Sequence, residues 1–336
     1  MNSFGKLFRI SIFGESHGSV VGVLIDGVSA GLPLTEDDLH KDLQRRKSGA
    51  AGTTPRQEED IPRIKSGIYN GFATGAPLLI EFENKNTRSR DYTELRKTPR
   101  PGHADFTAYS KFGGYEDYRG GGHFSGRLTL ALVAAGVIAK KMIYPVSVES
   151  KILEVGGNQN IEEAVDQAIN DGDSIGGIVE CAVKGIQPGS GEPFFDSFEA
   201  VLSHMIFSIP AIKGVEFGAG FAAAKMKGSE HNDNFISIQG STETNYAGGI
   251  NGGITNGNDI VFRVVVKPTS STNKVQSTMN FQSGEMQKLS VEGRHDTCIA
   301  LRVPVVLEAA AAIVTADMML QSQQINRVIN PKDIIS

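Results

Sequence analysis

The segment "GESHG", residues 14–18, sets a carboxylate, a hydroxyl and an imidazole side by side (Glu15, Ser16, His17) between two glycines. Alone it reads as a polar turn ahead of an apolar strand. Other segments share its manner. "RPGHAD" brings Arg100 and His103 around a Pro-Gly turn. "RGGGHFSGR" strings three glycines before His123, Phe124, Ser125 and Arg127. "NYAGGINGGITNG" is a second glycine-rich loop, "KPTSS" follows an apolar strand with Lys267 and three hydroxyls, and "GRHD" groups Arg294, His295 and Asp296. An imidazole titrates near neutral pH and serves as acid or base. A glycine loop entering a helix offers backbone N–H groups to anions, and Lys or Arg adds charge-assisted hydrogen bonds. Each fragment by itself is a turn. Together they describe a closed site for a polyanionic ligand.

The arginines support that reading. Eleven of the 15 lie before residue 128, and none falls between Arg127 and Arg263. Net charge is −5, which argues against bulk nucleic-acid binding. The arginine fork suits phosphate and carboxylate groups.

These residues need a scaffold. "FRISIFG" and "GVLIDGV" alternate like strands. "TEDDLHKDLQRRK" reads as a helix with Thr35 as N-cap, an acidic first turn and a basic end that delivers Arg45 and Arg46. "RIKSGIYNGFATGAPLLIEFEN" reads as two strands joined by a glycine-rich turn. Residues 84–126 carry little periodicity and many Gly, Arg, Tyr and Asp, the mark of a functional segment. "LTLALVAAGVIAKKMI" and "VPVVLEAAAAIVTADMML" are apolar nearly all round, so both are buried helices. "IEEAVDQAINDGDS" and "DSFEAVLSHMIFSI" are further helices, and "IGGIVECAVKGI", "GVEFGAGFAAA" and "NDIVFRVVVKP" are strands. No dinucleotide fingerprint or phosphate loop of the "GxxxxGK[ST]" type occurs. With no linker and no repeat, residues 1–336 are expected to form one α+β domain of layered sheets and helices.

The 336 residues, 40% hydrophobic and 21% charged, are those of an ordinary soluble globular protein. Cys181 and Cys298 give neither a disulfide framework nor metal spacing and read as reduced core thiols. No apolar run is expected to reach the roughly 18 residues of a membrane span, and the N-terminal residues lack the apolar core of a signal peptide. A cytoplasmic protein with no membrane partner is the expectation.

The fragments "FGESHG", "RPGHAD", "RGGGHFSGR", "GSEHND", "AGGINGGITNG", "KPTSS" and "GRHDTC" occur in the order and at spacings similar to those of chorismate synthases, from Phe4 to about Leu320. The resemblance implies a β-α-β sandwich with Ala-rich helices between antiparallel sheets, and usually a homotetramer. It implies conversion of 5-enolpyruvylshikimate 3-phosphate to chorismate, a 1,4-anti-elimination in which phosphate leaves C3 and a hydrogen leaves C6. Reduced FMN is required although no net redox change occurs, with NADPH as a candidate reductant.

By matching motifs, Arg45, Arg46, Arg56, Arg100 and Arg127 are expected to bind the substrate's anions. His17 would act at the leaving phosphate as acid or electrostatic stabiliser. His103 would stabilise the reduced flavin, and Asp296 would receive the proton near flavin N5, with Ser16 and Ser125 positioning protons. The flavin would be held by His123, Phe124, Ser125, Gly252, Lys267, Pro268, Thr269, Ser270, Ser271 and Arg294. The chain departs from the common family form where "GGGHFSGRLT" replaces "GGGRSSARET", where the loop "GAAGTT" carries no arginine, and where "SIPA" holds Pro210. A flavin oxidoreductase with net redox and a non-catalytic binder of phosphate ligands are the competing readings. The first predicts stoichiometric NADPH consumption, the second binding without phosphate release.

Overall fold

The protein is described here as a computed structural model covering residues 2–54, 59–85, 93–291 and 295–329. Two antiparallel sheets face each other across a layer of helices. The first sheet joins β1 (Ser3–Phe4), β2 (Arg9–Gly14), β3 (Val20–Asp26), β4 (Arg63–Ser66) and β5 (Leu78–Glu83) in the order β1-β2-β3-β5-β4. Its alternation is the one the sequence predicts. Val21, Val23 and Ile25 are wholly buried on one face of β3, while Leu24 on the other is partly exposed. The second sheet joins β6 (Ser147–Val155), β7 (Gly177–Lys184), β8 (Ile212–Phe217) and β9 (Ile260–Val266) in the order β8-β9-β7-β6. Val179, Cys181 and Val183 on β7 and Ile260, Phe262 and Val264 on β9 point into the core. Both cysteines are free and buried.

The helices are α1 (Asp37–Arg46), α2 (Asp105–Phe112), α3 (Thr129–Ile143), α4 (Ile161–Asn170), α5 (Phe198–Ser208) and α6 (Val303–Gln321). Helices α3 and α6 form the central layer, α3 against the first sheet and α6 against the second. Their small residues set the approach. A Cβ at Gly136 of α3 would lie 2.3 Å from the Ala309 Cβ of α6, so only glycine permits this crossing. Buried Asp317 of α6 accepts hydrogen bonds from the backbone N–H groups of Lys6, Leu7 and Phe8, which ties the β1–β2 turn to the central layer.

Four expectations need correction. With the short 3-10 turn before it, α6 makes a 23-residue stretch, Ile299–Gln321, long and apolar enough to cross a membrane, and it lies mostly buried inside the protein. Thr35 does not cap α1; instead the Asp38 carboxylate accepts its backbone N–H at 2.8 Å. The tail of "GVEFGAGFAAA" is not strand. Gly218 and Gly220 turn the chain left-handed, and Gly220–Lys225 forms a 3-10 turn. "RIKSGIYNGFATGAPLLIEFEN" forms β4 and β5 with a small hairpin, Ile68–Tyr69 with Phe72–Ala73, between them.

Candidate active site

One cavity of about 930 Å³ opens between the C-terminus of α1, the glycine loop before α3, the C-terminus of α5, the segment after β9 and the start of α6. Its walls hold Ser16, Arg46, Arg100, His103, His123, Phe124, Ser125, Arg127, Lys267 to Ser271 and Asp296. Sequence-distant loops therefore converge on one cavity.

The glycine loop is shaped by its neighbours. Gly120, Gly121 and Gly122 all take left-handed φ. At Gly122 a Cβ would sit 1.9 Å from the Asp117 carbonyl oxygen, and at Gly120 it would meet the His17 ring at 2.7 Å and Ser16 Oγ at 3.0 Å. The absence of side chains here lets the loop close over Ser16, whose N–H donates to the Gly122 carbonyl. Ser16 thus lines the cavity. His17, only 6% exposed, stands behind it against Gly120. Ser125 caps the short turn before α3 by accepting the Arg127 N–H.

Arg46, Arg100 and Arg127 are buried at 3, 7 and 8% exposure. Arg46 donates to Thr129 Oγ1 and to the carbonyls of Gly126 and Arg127. Burial, reinforced by Arg302 and Arg127 and opposed by Asp60 and Asp296, pulls its guanidinium down to about 9, which leaves it charged at neutral pH. Arg127 pairs with Asp60 through a very short contact and donates to Asn84 Oδ1. Its Nη2 is buried and has no hydrogen-bond partner among the described residues.

Arg100 and His103 share the Asp105 carboxylate at the start of α2. Arg100 donates to both of its oxygens at 2.8 Å, and His103 Nδ1 lies 2.6 Å from Oδ1. Burial pushes that carboxyl up, but hydrogen bonds from Arg100 and His103 outweigh it and hold Asp105 well below the usual carboxylate range. An N–H at Nδ1 donating to Asp105 leaves Nε2 of His103 turned toward Gly121 and the cavity.

Packed on the same Pro-Gly turn, Lys267 Nζ donates to Ser270 Oγ at 2.6 Å and to the Gly102 carbonyl. Burial, with Lys213 nearby, lowers its pKa. Ser271 Oγ accepts from Arg100, while Thr269 Oγ1 is buried without a partner among the described residues. Asp296 accepts the Thr54 N–H at 2.9 Å and pairs with Arg302 at 3.2 Å.

Some expected residues lie elsewhere. Arg45 faces the central layer, clamped by both Glu308 oxygens at 2.6 and 2.7 Å. Successive helix positions point about 100° apart, so only one of the Arg45–Arg46 pair can face the cavity. Gly252 turns a hairpin (Ile250–Asn251 with Ile254–Thr255) docked by a Gly253 carbonyl onto the first residue of α5. The cavity touches the far end of that 11-residue helix, about 16 Å away. His123 touches the cavity, but its Nδ1 lies 2.8 Å from the Gly14 carbonyl and its Nε2 3.2 Å from Asn2 Oδ1. Phe124, half exposed beside Phe112, is left to face a ligand. Arg56 and Arg294 lie outside the described residues. Sequence reasoning missed Asp60 and Arg302. For Arg302 a signal existed: a lone cation at the head of an otherwise apolar helix must find polar company.

The comparisons with known proteins follow the geometry. The family profile described as chorismate synthase matches residues 8–320. The chain belongs to the chorismate synthase family. It is 65% identical over 329 residues to a chorismate synthase of Chitinophaga pinensis, covering 98% of this chain and 99% of that one. It is 47% identical to one of Dehalococcoides mccartyi, with 98 and 99% covered. A crystal structure titled as a chorismate synthase superposes with a TM-score of 0.71 at 25% identity, over 94% of this chain and 92% of that one. Chorismate synthases are lyases of the shikimate pathway that eliminate phosphate from 5-enolpyruvylshikimate 3-phosphate and require reduced FMN. The two competing readings have no support beside this match.

Proposed function

We propose that the cavity performs this elimination with a defined set of side chains. The observation that carries the assignment is the convergence of three buried arginines, Arg46, Arg100 and Arg127, on one cavity with His103, Ser16 and Asp296. The substrate brings a phosphate and two carboxylates, and so much charge is taken out of water only against fixed cations. Arg127 Nη2 is a buried donor ready for an anion.

The segment from Lys267 to Ser271 fits FMN. Lys267 and the Thr269 hydroxyl, which has no partner among the described residues, offer a charge-assisted and a neutral donor to its phosphate, and Phe124 offers a ring face. Bound reduced FMN supplies transient electron density to the reacting ring without net redox change. His103, oriented through Nδ1 by Asp105, holds an Nε2 toward the cavity that can stabilise a neighbouring anion. Asp296 holds a carboxylate ready to take a proton, kept in place by Thr54 N–H and Arg302. His17, behind Ser16 at the glycine loop, assists departure of the phosphate by donating a proton or by its charge, with Ser16 and Ser125 positioning the groups around it.

The shared core of both sheets supports reading residues 1–336 as one domain. Highly exposed Phe194, Phe195, Phe221 and Ile238 support a homotetramer that covers them. Two free buried thiols support a cytoplasmic enzyme.

The loop at residues 49–54 carries no arginine that could hold the phosphate of NADPH. The expected result of incubating the protein with substrate, oxidised FMN and NADPH is no chorismate, followed by turnover once dithionite reduces the flavin. Chorismate formed before dithionite would show that this chain reduces its own flavin.

A further inference from the structure

The cations of the cavity do not share their carboxylates equally. Arg100 is matched by Asp105, in contact through both oxygens, and Arg302 is matched by Asp296. Among the described residues, Arg46 and Arg127 have one carboxylate between them. Asp60 meets Arg127 Nη1 with one oxygen and Arg46 Nη1, at 3.5 Å, with the other. Its side chain is 2% exposed, the most buried of the three carboxylates, and its backbone takes φ 51°. Such left-handed backbone is unusual outside glycine and concentrates at functional positions. Two guanidinium groups on one carboxylate leave a surplus positive charge. That surplus coincides with Arg127 Nη2, which has no hydrogen-bond partner among the described residues.

We infer that Asp60 is a positioning residue that competes with the ligand's anionic groups for Arg46 and Arg127 and so limits how tightly the cavity holds phosphate. The inference rests on the reading of the cavity as an anion site and deepens it. Both arginines are almost fully buried, so their charge needs an anion nearby in every state of the enzyme. A carboxylate built into the wall meets that need before ligand arrives. It also repels an incoming phosphate that lodges on the same guanidinium groups. Affinity for free phosphate, a product of the elimination, is thereby kept low. Asp60 does not take part in bond breaking. It sets the charge that the reacting groups meet.

The inference predicts that removing the carboxylate tightens phosphate binding, whereas a merely structural residue would loosen it on removal. The test is inorganic phosphate binding at constant ionic strength, read by titration calorimetry and by the thermal midpoint, for the full-length wild type and for Asp60→Asn. The expected result is a dissociation constant at least about tenfold lower in Asp60→Asn, a difference of about 1.4 kcal/mol. A lower thermal midpoint without phosphate, recovered by adding it, accompanies this. The double variant Asp60→Asn with Arg127→Gln is expected to lose the gain. Equal or weaker phosphate binding by Asp60→Asn, with wild type still binding, overturns the inference alone. A variant that stays unfolded even in saturating phosphate also overturns it, because the anion then fails to replace the carboxylate. Binding by neither protein overturns the anion-site reading and the inference with it.

Discussion

Replacing Asp296 by Asn is expected to lower kcat by about 10²–10⁴-fold, the range for loss of a positioned acid or base. The substitution keeps the shape, and the Asn oxygen can still accept the Thr54 N–H that Asp296 now accepts at 2.9 Å. The fold should therefore survive, with an unchanged thermal midpoint to within a few degrees. His17→Ala should show a comparable loss for a different reason. The ring fills the space behind Ser16 against Gly120, so its removal takes away both the titratable group and the support of the loop. Stopped-flow chorismate formation under anaerobic conditions reads both. Wild-type kcat in Asp296→Asn would remove that carboxylate from the mechanism.

Glu308→Ala is expected to cost about 3–5 kcal/mol of stability, the scale for breaking a buried ion cluster from one side. Glu308 is 3% exposed in the central layer and binds Arg45, Lys140 Nζ at 2.8 Å and Ser150 Oγ at 2.8 Å. Among the described residues, its loss leaves Arg45 and Lys140 with Asp42 alone. Burial pushes its carboxyl up, but Arg45 and Lys140 outweigh this and bring it down from 4.5 to about 2. A carboxyl whose folded pKa is depressed stabilises the fold fully above its unfolded pKa and loses that contribution as pH falls through the folded one. The contribution is about 3 kcal/mol. Denaturant titrations of wild type should thus lose stability between about pH 4.5 and pH 2, and this part of the slope should vanish in Glu308→Ala. A parallel slope in the variant would show that other carboxylates carry the acid sensitivity. The same cluster anchors the end of α1 that carries Arg46, so weaker substrate binding should accompany the stability loss.

Much of this architecture is legible in the sequence because its signals are local. Alternation fixes β3 and β5, and all-round apolarity places α3 and α6 in the interior. The motif loops are legible for the same reason: glycine beside an ionisable residue is a short-range pattern. What escapes is set by tertiary direction. Nothing local says that Arg46 faces the cavity while Arg45 turns to Glu308, since both end the same helix. His17 reads as a cavity residue, yet the closure of Gly120 over it depends on a loop about a hundred residues downstream. Asp60 carries no motif at all. Its importance comes from two arginines that the fold brings from α1 and from the loop before α3. Gly252 follows its hairpin to the start of α5, away from the cavity, a placement no glycine spacing encodes.

The central claim is tested most directly by incubating the protein anaerobically with 5-enolpyruvylshikimate 3-phosphate and chemically reduced FMN, while chorismate absorbance, released phosphate and flavin redox state are followed together. The account predicts chorismate and phosphate in equal amounts over many turnovers, with the flavin still reduced at the end. Absence of chorismate, or oxidation of one flavin for each product formed, would contradict it.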